Sequence, residues 1–314
     1  MRNKNVAIIG SGSYLPKDII TNEDLCKNIK CKPQWIKSNL GISERRFVDN
    51  ETNVDLAYNA SVEALKNSNV SKEDLDLIIA VTSSPDQMSP TTASILHNKL
   101  DINKNVPSIE MNGVCSGFIY AMSFSSTLIA SGQYKNILIV ASETYSKHIS
   151  KENRNCIFFG DGAGAVVLGQ SKNGWMVSDL SSNGKGTGMS GFRMPLVGDF
   201  DMIGREVWDK AITVLPESIR SVLKKANMTS GDIDIFVPHQ PSLNILKIVA
   251  EDVGISIDKV KVIMHKYANI ASASIPIALD DAFKKGEIKE GDKILLSAIG
   301  SGWSWGSMVI NHEK

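Results

Sequence analysis

The sequence predicts an α/β protein made of two related halves, and three observations carry that prediction. Short strands with two apolar faces, "LIIAV" (77–81), "NILIV" (136–140), "DIFV" (234–237) and "KILLS" (293–297), alternate with long helical stretches. Such strands belong in buried, largely parallel sheets covered by helices. The segment "ASVEALKNSNVSKEDLDLIIAV" (60–81) matches "SIRSVLKKANMTSGDIDIFVPH" (218–239) without a gap at an offset of 158 residues, each running helix, polar turn, strand. A second pair, 115–142 and 269–300, begins at a polar residue, runs as a small-residue-rich helix and stops at a glycine 17 positions on, Gly132 or Gly286. Glycine is the usual residue just past a helix end. In this register Cys115 and Asn269 occupy equivalent places.

Taken in order, the first half (1–170) opens on the strand-like "NVAIIGSGSYLP" and continues through the helix and strand of 60–81 to "MNGVCSGFIYAM" (111–122). There an extended segment gives way to an apolar helix, with Cys115 at its expected N-terminus. Unpaired N–H groups and the helix dipole favour an anion at that place, which predicts a lowered thiol pKa and a nucleophilic thiolate. The commoner fate of a cysteine, a small buried core residue, competes with this reading. "FFGDGAGAVVLG" (158–169) lacks the Lys and Ser/Thr of a phosphate-binding loop and runs into a strand, so it is read as a tight structural turn. The junction between halves falls in the Gly-, Ser- and Asn-rich stretch 168–188.

In the second half (171–314), His239 ends the apolar strand of "DIFVPHQPSL", with Pro241 placed to open a helix. The carboxyl ends of strands are where α/β sheets bind ligands. Asn269 precedes the second repeat's helix, where an N-cap is the ordinary role for asparagine. Near the end, "LLSAIGSGWSWGSMVI" sets a Gly-Ser-Gly turn between apolar strands. Backbone N–H groups at Ser301 and at Cys115 make two candidate halves of an oxyanion hole.

Composition bounds the function. With 314 residues, 42% hydrophobic, the chain has material for a sizeable core. Zero formal net charge and the lack of a basic run give no attraction for nucleic acid or membrane. No apolar stretch is as long as a membrane span and no leader precedes the first strand, so a soluble, cytoplasmic protein is expected. Four cysteines (Cys26, Cys31, Cys115, Cys156) without a C-x-x-C pair are expected to be free thiols in a reducing compartment. Cys26 and Cys31 lack histidine partners, so no metal site is expected.

With Cys115, His239 and Asn269 in hand, the chain resembles the thiolase superfamily and, more narrowly, β-ketoacyl-acyl-carrier-protein synthase III. The resemblance runs through "GSGSYLPKDIITNEDL", "WIKSNLGISERR", "CSGFIYAM", "FFGDGAGAVVLG", "VPHQPS", "YANIASASIPIAL" and "GSGWSWGSMV" in order. It implies a duplicated, five-layered α-β-α-β-α fold, a homodimer, no permanently bound cofactor, and acyl-coenzyme A and malonyl-acyl-carrier protein as substrates. It also implies a triad of Cys115, His239 and Asn269, with the backbone N–H groups of Cys115 and Ser301 as oxyanion donors.

Several positions depart from the family pattern. Trp35 is kept for the adenine end of coenzyme A, but Asn39 and Leu40 stand where Arg and Thr are usual. Ser242 and Asn244 follow the histidine where the family has Asn and Arg, and in "GREVWDK" Asp209, beside Trp208, replaces a basic docking residue. Lys37, Lys210 and Lys247 are the candidates to compensate. Ser89, before Pro90, is smaller than the residue common in enzymes that take short primers, which predicts a primer other than plain acetyl. The alternatives are an acyltransferase that passes the Cys115 acyl group to a hydroxyl or amine, a hydroxymethylglutaryl-type synthase, for which only Asp86 stands upstream where a catalytic glutamate is expected, and a non-catalytic scaffold subunit. Retention of all three triad residues favours condensation.

Overall fold

The computed structural model describes residues 2–184, 191–195 and 200–313. In the first half, β1 (Asn3–Tyr14) is followed by a small hairpin of β2 (Asp18–Thr21) and β3 (Glu44–Phe47), which encloses α1 (Asn22–Leu25) and α2 (Pro33–Leu40). Then come α3 (Asn53–Ser68), β4 (Leu77–Val81), α4 (Thr92–Lys99), β5 (Ser108–Met111), α5 (Gly117–Ala130) and β6 (Ile137–Thr144). The long β7 (Asp161–Ser182) leads to the short pair β8 (Phe192–Arg193) and β9 (Asp201–Met202). The second half continues with α6 (Gly204–Ala226), β10 (Ile235–Pro238), α7 (Leu243–Asp252), α8 (Met264–Tyr267), α9 (Ser274–Lys284), β11 (Lys293–Gly300) and β12 (Ser304–Asn311).

The expected layering is present, and the alternation of side chains along each strand explains it. On β4, Ile78 and Ala80 face outward onto α3 and α4, with Leu56, Ala60 and Leu96. Leu77, Ile79 and Val81 face inward onto α5 and α9. In the second half, Leu295 and Val309 face α6 and α7, while Ile294, Leu296 and Met308 join the same inner layer. Strands apolar on both faces are thus needed twice, and the layers run helix, sheet, helix, sheet, helix. Sheet order is β10-β11-β12-β7-β6-β4-β5, with β1 on β7. β4 is parallel to β5 and β6, and β10 to β11, whereas β6–β7, β7–β12 and β11–β12 are antiparallel.

The repeats align as structures. β4 and β10 begin at Leu77 and Ile235, the offset read from sequence. Gly132 and Gly286 follow α5 and α9 at φ +79° and +66°, the left-handed geometry of a helix stop.

Three expectations are corrected. Cys26 and Cys31 form a disulfide with Cα atoms 5.3 Å apart, leaving Cys115 and Cys156 as free, buried cysteines. α1 ends at Leu25 and the chain turns back at once, so two cysteines without a C-x-x-C spacing still come within bridging reach. The glycine run is strand rather than turn from Asp161 onward. Its glycines admit a helix: a Cβ on Gly164 would lie 2.6 Å from the Ile277 nitrogen. The Gly-, Ser- and Asn-rich stretch read as a junction is likewise strand as far as Ser182, so position 170 falls inside β7; residues 185–188 of that stretch lie outside the described ones. Among the described residues, no helix is long and apolar enough to cross a membrane, and no cluster of potential metal ligands occurs.

A thiol titration of denatured, unreduced protein is expected to find two reactive cysteines, rising to four after reduction. Four thiols before reduction would show that the 26–31 bridge does not form.

Candidate active site

Cys115 lies in a single 3-10 turn, Val114–Ser116, two residues ahead of α5. Val114 has φ +47°, a conformation that a β-branched residue adopts only when its surroundings force it. The forcing is visible: Gly113 abuts Gly117, and Gly300 at the end of β11 lies directly on the Cys115 backbone. A Cβ built on Gly300 would stand 2.9 Å from the Gly113 oxygen and 3.1 Å from the Cys115 nitrogen. The 300–301 turn and the Cys115 N–H therefore sit side by side. Ser301 uses its hydroxyl to donate to the Phe192 carbonyl at 2.6 Å.

His239 directly follows β10, and its N–H donates to the Ser297 carbonyl at 2.9 Å. Buried Gln240 locks the loop, donating to the carbonyls of Pro238 and Lys261 and accepting from the N–H groups of Ile263 and Met264. Asn269 is pinned by two backbone bonds, its N–H to Phe158 and its carbonyl from Gly160. Its side-chain Oδ1 accepts from the Ala271 N–H at 2.7 Å. With the oxygen occupied, the –NH2 is the end left to donate. Asn269 is therefore not an N-cap of α9, which starts five residues later without a side-chain cap.

Cys115, His239 and Asn269, each nearly buried, line one cavity of about 400 Å³. Phe158, Phe159, Phe192, Ile299 and Trp303 supply its apolar wall, and among the described residues no Asp, Glu, Lys or Arg side chain lines it. Trp35, Asn39, Trp208, Ser242, Asn244 and Ser301 also border it. Ser89 does not. The segment after β4 swings outward to reach α4, leaving Ser89 exposed and Met88 71% exposed, so within one chain the expected acyl-pocket role of Ser89 is not met.

The rim explains the departures. Asn244 donates from Nδ2 to the Asn39 carbonyl at 3.0 Å, so the two asparagines standing at family arginine positions tie α7 to α2. Ser242 caps α7, its Oγ accepting from the Ile245 N–H. Asp209 pairs with Arg205 at 2.9 Å on an exposed helix turn, worth at most ~0.5 kcal/mol. Arg154, which the sequence did not single out, holds its guanidinium 5.9 Å from the Trp35 ring centre.

Electrostatics corrects one further expectation. Burial pushes the Cys115 thiol well above its ordinary pKa, and the nearby carboxylate of Glu143 pushes the same way; the cysteine's own backbone N–H pulls only weakly against them. Desolvation outweighs the helix end, because the sulfur sits outside α5 and out of water. Burial likewise drives His239 down to about 3, against a smaller upward pull from the Ala271 backbone. Thiol and imidazole both rest neutral.

Comparison with known proteins follows this geometry. A cysteine in the turn ahead of α5, a neutral imidazole after β10 and an amide donor ahead of α9 meet in a five-layered sandwich of the thiolase type; the two turns align at an offset of 157, so Ser272 rather than Asn269 stands opposite Cys115. The family model for 3-oxoacyl-[acyl-carrier-protein] synthase III matches residues 109–184, and that for its C-terminal part matches 223–312. β-Ketoacyl-[acyl-carrier-protein] synthase III of Clostridium acetobutylicum is 38% identical over 99% of both chains. The Staphylococcus aureus protein of the same name is 38% identical over 99% of this chain and 100% of its own. The crystal structure of 3-oxoacyl-[acyl-carrier-protein] synthase III from Aquifex aeolicus superposes with a TM-score of 0.94 at 37% identity, covering 98% of this chain and 100% of that one. The chain belongs to the β-ketoacyl-acyl-carrier-protein synthase III family.

Two outcomes are expected from the site. Gly300→Ala, whose new methyl meets the Cys115 backbone, should slow Cys115 acylation by about 10²-fold while circular dichroism stays unchanged; an unaltered rate would separate Gly300 from the nucleophile. The second concerns pH. The unfolded chain protonates His239 near 6.5 and the folded one near 3, so this ring's contribution is full above pH 6.5 and falls as pH drops, by about 1.4 kcal/mol at pH 5.5. His239→Asn should flatten the difference in urea stability between pH 7.5 and 5.5 by about that amount.

Proposed function

We propose that the chain catalyses decarboxylating condensation of an acyl thioester with malonyl-acyl-carrier protein. The observation that carries this reading is the meeting of Cys115, His239 and the free –NH2 of Asn269 in one largely apolar cavity. The Cys115 sulfur attacks the acyl-coenzyme A carbonyl, the tetrahedral oxygen is held by the N–H groups of Cys115 and Ser301, and coenzyme A leaves with the thiol proton. Malonyl thioester then binds with its thioester carbonyl against His239 and Asn269. Its C–C bond breaks, CO2 departs, and the electron pair becomes an enolate that the two donors stabilise. Such a pair does its main work on developing charge. The enolate carbon attacks the acyl-Cys115 carbonyl, and collapse breaks the C–S bond, releasing the 3-oxoacyl product and a Cys115 thiolate that takes one proton from solvent to restore the neutral thiol.

Trp35 and Arg154 flank the place where the nucleotide end of coenzyme A stacks, and Trp208, Ser242 and Asn244 border the pantetheine path. The acyl group is neutral and apolar, matching the wall that the described residues supply; a primer longer than acetyl rests on the small Ser89 of the sequence alone. Division into halves near residue 170, a position inside β7, rests on the repeat correspondence, and a homodimer on the outer edge of β5, unpaired among the described residues, where Ile109 is 43% exposed. Plain acyl transfer to a hydroxyl or amine is the second reading. It needs a base but not a pair of carbonyl-holding groups.

Intact mass spectrometry with a panel of acyl-coenzyme A thioesters should show an adduct on Cys115, largest for neutral C4–C8 chains, that malonyl-acyl-carrier protein discharges with CO2 release. Discharge by hydroxyl or amine acceptors alone would favour the second reading, and acetyl as much the fastest primer would overturn the chain-length proposal. Asn269→Ala should leave acylation intact and cut decarboxylation at least about 10²-fold.

A further inference from the structure

Glu143 ends β6 and is completely buried. None of the ion pairs among the described residues includes it. Its carboxylate accepts four hydrogen bonds instead: from the Ser83 N–H at 3.1 Å, Ser83 Oγ at 3.1 Å, Ser84 Oγ at 2.6 Å and Ser272 Oγ at 2.5 Å. A buried carboxylate is tolerated only when its lone pairs are met in this way. The donors come from opposite halves of the repeat. Ser83 and Ser84 follow β4, whereas Ser272 sits in the turn before α9.

That turn carries the amide donor. Ala271, one residue before Ser272, gives its N–H to Asn269 Oδ1 and is held at φ +39°, a left-handed conformation that costs an alanine free energy. The backbone bonds of Asn269 to Phe158 and Gly160 fix where the residue is, but not which way its amide faces. The amide follows the Ala271 N–H, and the direction of that N–H depends on the strained turn. The side-chain bond from Ser272 to Glu143 ties the strained turn to the half of the molecule that carries Cys115.

We infer that Glu143, acting through Ser272, is a positioning residue that holds the 269–273 turn so that the Asn269 –NH2 faces the thioester carbonyl of the malonyl substrate. The inference rests on the condensing reading above. It predicts a division between half-reactions, because the first step uses Cys115 and the oxyanion donors, whereas only the second uses Asn269. A purely structural role in the core predicts no such division.

The test measures the two steps separately by rapid-quench mass spectrometry, in wild type, Ser272→Ala, Glu143→Gln, Asn269→Ala and the double variant Ser272→Ala/Asn269→Ala. Ser272→Ala should acylate within about threefold of wild type and lose at least about tenfold in malonyl-dependent discharge, the scale of a displaced catalytic group. The double variant should be no slower in discharge than Asn269→Ala alone, since the serine acts only through the asparagine. Glu143→Gln should likewise lose malonyl-dependent discharge, and because its carboxylate also bears on the Cys115 thiol, Ser272→Ala, which removes a single hydroxyl, decides the comparison between the two steps. Equal slowing of both steps or a wild-type rate in Ser272→Ala, or a Ser272 penalty that adds in full to that of Asn269, would overturn the inference while leaving condensation in place. A wild-type protein that acylates yet releases no CO2 from malonyl thioester would instead overturn the condensing reading, and the inference with it.

Discussion

The packing of one short turn on another organises this molecule. The turn Val114–Ser116 and the turn Ala271–Ala273 lie against each other at the starts of α5 and α9, the two helices that form the layer shared by both sheets. Because that layer is common, turns 157 residues apart in the chain open their helices at one place. β11 presses Gly300 onto the first turn, and Glu143 grips the second through Ser272. Neither half assembles a site alone, and the backbone strain at Val114 and Ala271 persists only because the partner half holds it.

Desolvation governs the chemistry that this packing permits. Removing Cys115 and His239 from water suppresses both charges, so the resting site is a neutral thiol beside a neutral imidazole rather than an ion pair. Donors aimed at an oxygen gain strength in such a medium, since little solvent competes for the charge that develops. The carboxylate of Glu143 opposes a free thiolate, which favours a nucleophile that is uncovered only as a thioester carbonyl arrives to take its charge.

The entrance has been rebuilt with neutral polar groups. Asn39 and Asn244 bond to one another, and the acid at 209 is balanced by Arg205 on the same helix. Arg154 against Trp35 keeps one cation at the rim. The described residues of this mouth thus offer aromatic faces and short-range hydrogen-bonding groups.

By itself the sequence determined the layered fold and the family, and it singled out three side chains that the fold brings to one cavity. Apolar strands with period two, helix-stop glycines and an ungapped repeat are local signals, and each follows from backbone chemistry that neighbours do not alter. Tertiary structure decided what depends on distance in space. It set the upward shift of the Cys115 thiol, which a helix end suggests should fall, because burial is a property of the packed core. It joined Cys26 to Cys31, moved Ser89 out of the cavity, brought Arg154 to Trp35 and placed Glu143 behind the catalytic turn. None of these leaves a periodic or compositional trace, since each arises where segments far apart in the chain meet or where a loop turns toward or away from the core.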